Sequence, residues 1–199
     1  MKCSFEEYIN IRALLESTSN VGIISFSRMN PVTIGHLKLM SKMVELGRKY
    51  KATPMLYLSH TQDKKKNPLS YEDKYKFVKA CAPSGLNVIN SSAKTIFDVA
   101  KEVAKMGVEH LILVAGADRV NEFSRLNKYK DEIGIAEFSV VSAGDRDPDA
   151  EGVTGMSATK LRECAKNDDY ENFKKGAGTH KNEALTKEMF KKVRAGLGV

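Results

Sequence analysis

Two periods of apolar spacing take turns along this chain. Val21 to Phe26 is a continuous apolar, β-branched run, the pattern of a strand buried on both faces. From about Ile34 to Tyr50 the spacing turns helical, with Leu37, Met40, Met43 and Val44 on the apolar side, and Pro54 to Ser59 returns to a short strand. Ser70, with Asp73 three residues on, predicts the N-cap of a helix that carries Phe77 and Val78 and stops before Pro83. Leu86 to Asn90 predicts a third strand. Ile96, Val99, Val103 and Met106 predict a helix from about Lys94 with Gly107 as its C-cap, leading into the strongly apolar strand His110 to Ala115. An irregular helical stretch then reaches Tyr129, and Ala136 to Ser142 reads as a fifth strand. At the start of the chain, Ser4 with Glu7 forms a capping box for a helix to about Glu16, with Phe5, Ile9 and Leu14 roughly on one face.

Alternating strands and helices predict an α/β fold: an open, doubly wound parallel sheet with helices on both faces. The 199 residues suit one domain, with an N-terminal helix over 1–18, a core over 19–166 and a helical extension over 167–199. Ligands of such sheets bind beyond the carboxyl ends of the strands, which directs attention to the loops after Phe26, Ser59, Ala115 and Ser142.

The first of these loops, Ser27-Arg28-Met29-Asn30-Pro31-Val32-Thr33-Ile34-Gly35-His36, runs directly into a helix. Gly35 lets a phosphate approach the backbone, the helix N-terminus offers unpaired N–H groups and partial positive charge, and His36 adds a side-chain donor. A second candidate anion site follows the long polar stretch Ala143 to Gly155, in Gly155-Met156-Ser157-Ala158-Thr159-Lys160-Leu161-Arg162-Glu163. There Ser157 can cap a helix, its hydroxyl and that of Thr159 can meet phosphate oxygens, and the planar Arg162 guanidinium can grip a phosphate.

Thr33-Ile34-Gly35-His36 resembles the Thr-x-Gly-His or His-x-Gly-His signature of the nucleotidyltransferase superfamily. Ser157, Thr159 and Arg162 resemble its second signature, Ile-Ser-Ser-Thr-x-x-Arg. The resemblance covers roughly Val21 to Lys166 and implies a Rossmann-like five-stranded sheet in the order 3-2-1-4-5. It implies His36, Thr33 and Arg162 as catalytic residues, with Thr33 a positioning hydroxyl. The nucleotide-binding set would be Ser25, Phe26, Arg28, Gly35, His36, Gly116, Asp118, Ser157, Thr159 and Arg162. Gly116-Ala117-Asp118 is similar to the Gly-x-Asp turn of nicotinamide-mononucleotide adenylyltransferases. The basic stretch Lys64-Lys65-Lys66 with Lys74 is similar to the loop that meets the acceptor's phosphate there, and Arg146 joins Lys64, Lys65 and Lys74 as a substrate-binding candidate. Arg28 and Met29 stand where a Gly-x-Phe is common, and the chain has no Trp to stack a nicotinamide. With Arg146-Asp147-Pro148-Asp149, the first loop looks most like that of cytidylyltransferase-like proteins encoded by tailed phages.

The reaction this implies is attack of an acceptor phosphate on the α-phosphorus of a nucleoside triphosphate, ATP before CTP, with release of pyrophosphate. Mg²⁺ would be carried in with the triphosphate, since no carboxylate cluster marks a metal cage of the protein's own. The net charge of +7, from 32 basic and 25 acidic side chains, fits anionic ligands. Three competitors remain: a class I aminoacyl-tRNA synthetase, which shares the Gly-His helix start but has Lys-Ser where this chain continues differently after Met156-Ser157-Ala158, a silent nucleotide sensor, and a nucleic-acid binder, for which the lysines lack the interleaved aromatics of single-strand binders. Cys3, Cys81 and Cys164 show no disulfide or zinc spacing. Apolar runs are far shorter than the ~18 residues of a membrane span, so the expected location is the cytoplasm, the host's if the protein is phage-encoded. A homo-oligomer is left open.

Overall fold

The structure, a computed structural model, describes residues 20–144 and 156–199. The helix expected from Ser4 to Glu16 and the candidate Arg146 lie outside these residues. The chain forms two compact units interleaved along the sequence.

The described residues of the first unit are 20–27, 39–59 and 83–144, and they hold the sheet. Its strands are β1 (Val21–Ser27), β2 (Met55–Leu58), β3 (Asn87–Ile89), β4 (His110–Ala115) and β5 (Glu137–Ser142). They lie in the order β3-β2-β1-β4-β5 and pair in parallel throughout, with Ile24 opposite both Met55 and Leu113. This Rossmann-like topology is the one the resemblance implied. Between β1 and β2 runs α1 (Ile34–Tyr50), of which the part beyond Lys38 belongs to this unit and buries Leu39, Met40, Met43 and Leu46. Ile24, Met55, Tyr57, Leu111 and Leu113 form one core with Val99, Ala100 and Val103 of α3 (Ile96–Ala104) and with Phe123, Ile133 and Phe138. Ile23, Leu56 and Ile112 point to the other face by the alternation of a strand and are equally buried.

Thr95 caps α3 in a reciprocal box with Asp98, so the helix begins where the spacing predicted. It ends earlier than Met106. Gly107 closes the following turn in the left-handed region (φ 89°), with its N–H on the Ala104 carbonyl. The irregular stretch after β4 consists of short 3₁₀ and α segments, including α4 (Val120–Ser124) and α5 (Lys130–Ile133).

The described residues of the second unit are 28–38, 60–82 and 156–199. It contains the first turn of α1, α2 (Tyr71–Cys81), α6 (Ala158–Lys166), α7 (Tyr170–Gly176) and α8 (Glu183–Leu197). The last three helices pack on one another, and α8 also packs on α2. Phe173 and Phe190 meet edge to face at 5.1 Å, and Tyr170 meets Phe190 at 5.3 Å. Lys76 pairs with Glu188 and Lys192 with Asp73, joining α2 to α8. The caps expected from sequence are present: Ser70 accepts from the Asp73 N–H and Ser157 from the Lys160 N–H.

Among the described residues no helix is long and apolar enough to cross a membrane.

Candidate functional site

Positive charge is concentrated in the second unit. Its described residues carry eighteen lysines and arginines against nine acidic side chains, whereas those of the first unit carry eleven against nine. Arg28, Thr33, Gly35, His36, Lys64, Lys65, Lys74, Ser157, Thr159 and Arg162 all belong to that basic unit.

The loop after β1 turns sharply. Met29 adopts a left-handed conformation (φ 42°) and is only 1% exposed. For a residue with a Cβ this costs roughly 1–2 kcal/mol, so the surroundings must hold it there. Asn30 supplies part of that hold. Its side chain, 2% exposed, accepts from the Leu69 N–H (2.9 Å) and donates to the Leu69 carbonyl (3.2 Å). Its backbone carbonyl accepts from Arg162 Nη1 at 2.9 Å. One residue thus ties the first loop to both the lysine loop and the second motif.

Thr33, fully buried, is the N-cap of α1, and His36 stands at the third helical position. The Thr33 N–H donates to His36 Nδ1 at 2.9 Å, the Thr33 Oγ1 lies 3.1 Å from the same nitrogen, and the His36 N–H reaches the Thr33 carbonyl at 3.0 Å. The pair is a capping box with imidazole in place of the usual glutamate. A backbone N–H can only donate, so Nδ1 accepts, and the proton of the neutral ring sits on Nε2. The cap therefore sets which nitrogen of His36 can donate to a ligand.

Arg162, on α6, is half-buried. Besides Asn30 it donates from Nη2 to Thr159 Oγ1 at 3.0 Å. Its pKa is lowered, first by desolvation and next by the like charge of Arg28, with Asp63 and Glu163 acting the other way. Among the described residues it makes no ion pair. Two guanidinium groups within electrostatic reach, one of them half-buried, form a place an anion would relieve. Arg28 itself is exposed.

The lysine run sits on a closed loop. Asp63 accepts from the backbone N–H groups of Lys65 (2.9 Å) and Lys66 (2.6 Å) and from Asn67 Nδ2 (2.5 Å), and Asp63 and Asn67 also bridge through their backbones. The Lys66 N–H, then the Asn67 amide and the Lys65 N–H, bring the Asp63 carboxyl down to about 2. Lys64, Lys65 and Lys66 stay exposed, their backbone ordered from beneath. Lys74 differs from them. It is 1% exposed, its ammonium lies 3.5 Å from the Thr61 carbonyl, and burial lowers it from 10.5 to about 8.

The remaining candidates lie in the first unit. Ser25 and Phe26 are in β1, with Ser25 2% exposed. Gly116 and Asp118 begin the 3₁₀ turn after β4, and Asp118 folds back so that a Cβ on Gly116 would stand 2.7 Å from its Oδ1. No group of three or more His, Cys, Asp or Glu side chains that could hold a metal occurs among the described residues.

Sequence reading missed Asn30, Asp63 and Asn67 as site residues. Asp63 had a signal, an acid just before a lysine run and positioned to cap its N–H groups.

A family model described as cytidylyltransferase-like matches residues 26–164. Among solved structures, a protein from Vibrio parahaemolyticus described as a nicotinate-nucleotide adenylyltransferase superposes with a TM-score of 0.56 at 13% identity. That match covers 85% of this chain and 97% of the other. TmcAL from Thermotoga maritima, bound with alpha-thio ATP, superposes with a TM-score of 0.55 at 10% identity, over 87% of this chain and 56% of its own. At such identities the likeness is one of fold. Comparison with curated protein sequences finds no match. The matched stretch runs from the end of β1 into α6 and so contains both candidate anion-binding motifs, and the chain belongs to the cytidylyltransferase-like family of the nucleotidyltransferase superfamily.

Proposed function

We propose that this chain transfers a nucleoside monophosphate, AMP from ATP, to a phosphorylated small-molecule acceptor and releases pyrophosphate. The observation that carries the reading is the Thr33–His36 cap within the same basic unit as the Arg28–Arg162 pair. The cap presents a protonated Nε2, and the pair offers the positive charge a triphosphate needs.

In the reaction, an oxygen of the acceptor's phosphate forms a bond to the α-phosphorus. The bond from that phosphorus to the bridging oxygen breaks, and its electron pair leaves with pyrophosphate. No enzyme-bound intermediate is required. The substrate is the magnesium complex of the nucleotide, and the described residues offer no cage of their own for the ion. His36 Nε2–H donates to the phosphate where charge builds, and Thr33 keeps the ring in that tautomer. Ser157, Thr159, Arg28 and Arg162 hold the leaving phosphates, while Lys64 and Lys65 attract the acceptor's phosphate. The family's cytidylyltransferase-like description makes CTP the competing donor.

A pyrophosphate-release screen tests this, with each of the four nucleotides against nicotinamide mononucleotide and phosphopantetheine. Release with ATP and one acceptor supports the reading, and release with CTP alone corrects the donor. His36→Ala should lower turnover by about 10²–10³-fold with the circular dichroism spectrum unchanged. Near-normal turnover in that variant removes His36 from the mechanism.

A further inference from the structure

The family match ends at residue 164, yet the stretch beyond it meets each of the three candidate anion-binding segments at a glycine. A Cβ on Gly176 would stand 2.7 Å from Met156 Cβ and 2.9 Å from its Cγ and Cε, immediately before the cap residue Ser157. A Cβ on Gly178 would stand 3.0 and 3.3 Å from the two Val32 methyls and 3.4 Å from the Thr33 carbonyl oxygen. A Cβ on Gly196 would run into the Pro68 carbonyl oxygen, one residue past the closed lysine loop. At Gly196 the approach is to the Pro68 backbone and leaves no room for a side chain; a glycine inside α8 goes against helix propensity, so packing explains its presence there.

The contact at Gly178 is also hydrogen-bonded. Ala177 pairs antiparallel with Thr33, and the Gly178 N–H donates to the Val32 carbonyl at 3.0 Å. The Val32–Thr33 backbone held in this way is the one whose N–H fixes His36 Nδ1. We propose that Gly178 is a positioning residue for His36: by admitting the 177–178 backbone against Val32 and Thr33, it sets the cap and hence the nitrogen that donates. This rests on the nucleotide-transfer reading for its consequence, but not for its geometry.

The test uses the full chain with Gly178→Ala, Val32→Ala and the double variant. An alanine at 178 must push Val32 and Thr33 by a few tenths of an ångström, and Val32→Ala removes the methyls it would strike. Two-bond ¹H–¹⁵N correlation spectra of the histidine rings report the tautomer without any substrate. The expected result is a His36 ring protonated on Nε2 in the wild type, a mixed tautomer in Gly178→Ala, and recovery in the double variant. In pyrophosphate release, Gly178→Ala should lower kcat about tenfold with the nucleotide KM within twofold, and the double variant should regain most of it. A general loss of packing would not be reversed by deleting two further buried methyls. If Gly178→Ala fails to fold, Val32→Ile presses on the same contact from the other side and should shift the tautomer alike. An unchanged His36 tautomer in the folded single variant, or no recovery in the double, overturns the proposal. If the wild type releases no pyrophosphate with any nucleotide, the functional reading fails while the spectra still decide the positioning.

Discussion

Replacing Asn30 with alanine should weaken the protein more than any exposed residue of the basic unit could, and the structure says by how much. The Asn30 amide accepts from the Leu69 N–H and donates to the Leu69 carbonyl, and Leu69 is 1% exposed. Alanine leaves both backbone groups buried without these partners. Each orphaned group costs about 1–3 kcal/mol, so the pair should cost about 2–6 kcal/mol, the lower end applying if water enters the vacated space. With a urea m-value of roughly 2 kcal/mol/M, the midpoint should fall by about 1–3 M at constant m. Asn30→Asp keeps the acceptor for the Leu69 N–H but sets a carboxylate against the Leu69 carbonyl, so it should not rescue. The kinetic effect should be lopsided. The Arg162 contact uses the backbone carbonyl of residue 30, which alanine retains, so the nucleotide KM should change less than the acceptor KM, which under the proposed function depends on the lysine loop. A midpoint shift below about 0.3 M would refute the reasoning, because that is less than one orphaned group should cost.

Two further substitutions test the charges. Lys74 has a folded pKa of about 8 against 10.5 for the free side chain, so between those values the unfolded chain binds more protons and stability should rise with pH. The rise is bounded at about 3 kcal/mol, since each tenfold loss of proton affinity on folding corresponds to about 1.4 kcal/mol. Lys74→Met should be more stable than the wild type at pH 7.5 and should lack this rise. Urea midpoints at pH 7.5 and 10 decide it, and equal slopes for the two proteins would show that Lys74 is not the titrating group. Arg162→Lys keeps the charge but cannot satisfy Asn30 and Thr159 from two nitrogens at once. The nucleotide KM should rise about tenfold, equivalent to about 1.4 kcal/mol of lost grip, and a change within twofold would count against its role.

What the chain shows in one dimension is governed by repeating neighbours. α1 and β4 are legible to the residue because their apolar periods persist over 17 and 6 positions. The first candidate motif stands out in the sequence because it combines a cap, a glycine and a donor, Thr33, Gly35 and His36, within one helical turn. Lys74 was also legible in principle: it lies three and four residues before Phe77 and Val78, on the buried face of α2, yet its nearness to the lysine run made it look like part of that exposed loop. Asn30 is of another kind. Its partner stands 39 residues away and Arg162 132 residues away, so nothing local separates it from any Asn-Pro turn. The same holds for Gly178 and Val32. The residues proposed for the chemistry are thus local in sequence, whereas those proposed to position them act through single long-range contacts. The second class is where variants should change the site without touching a phosphate.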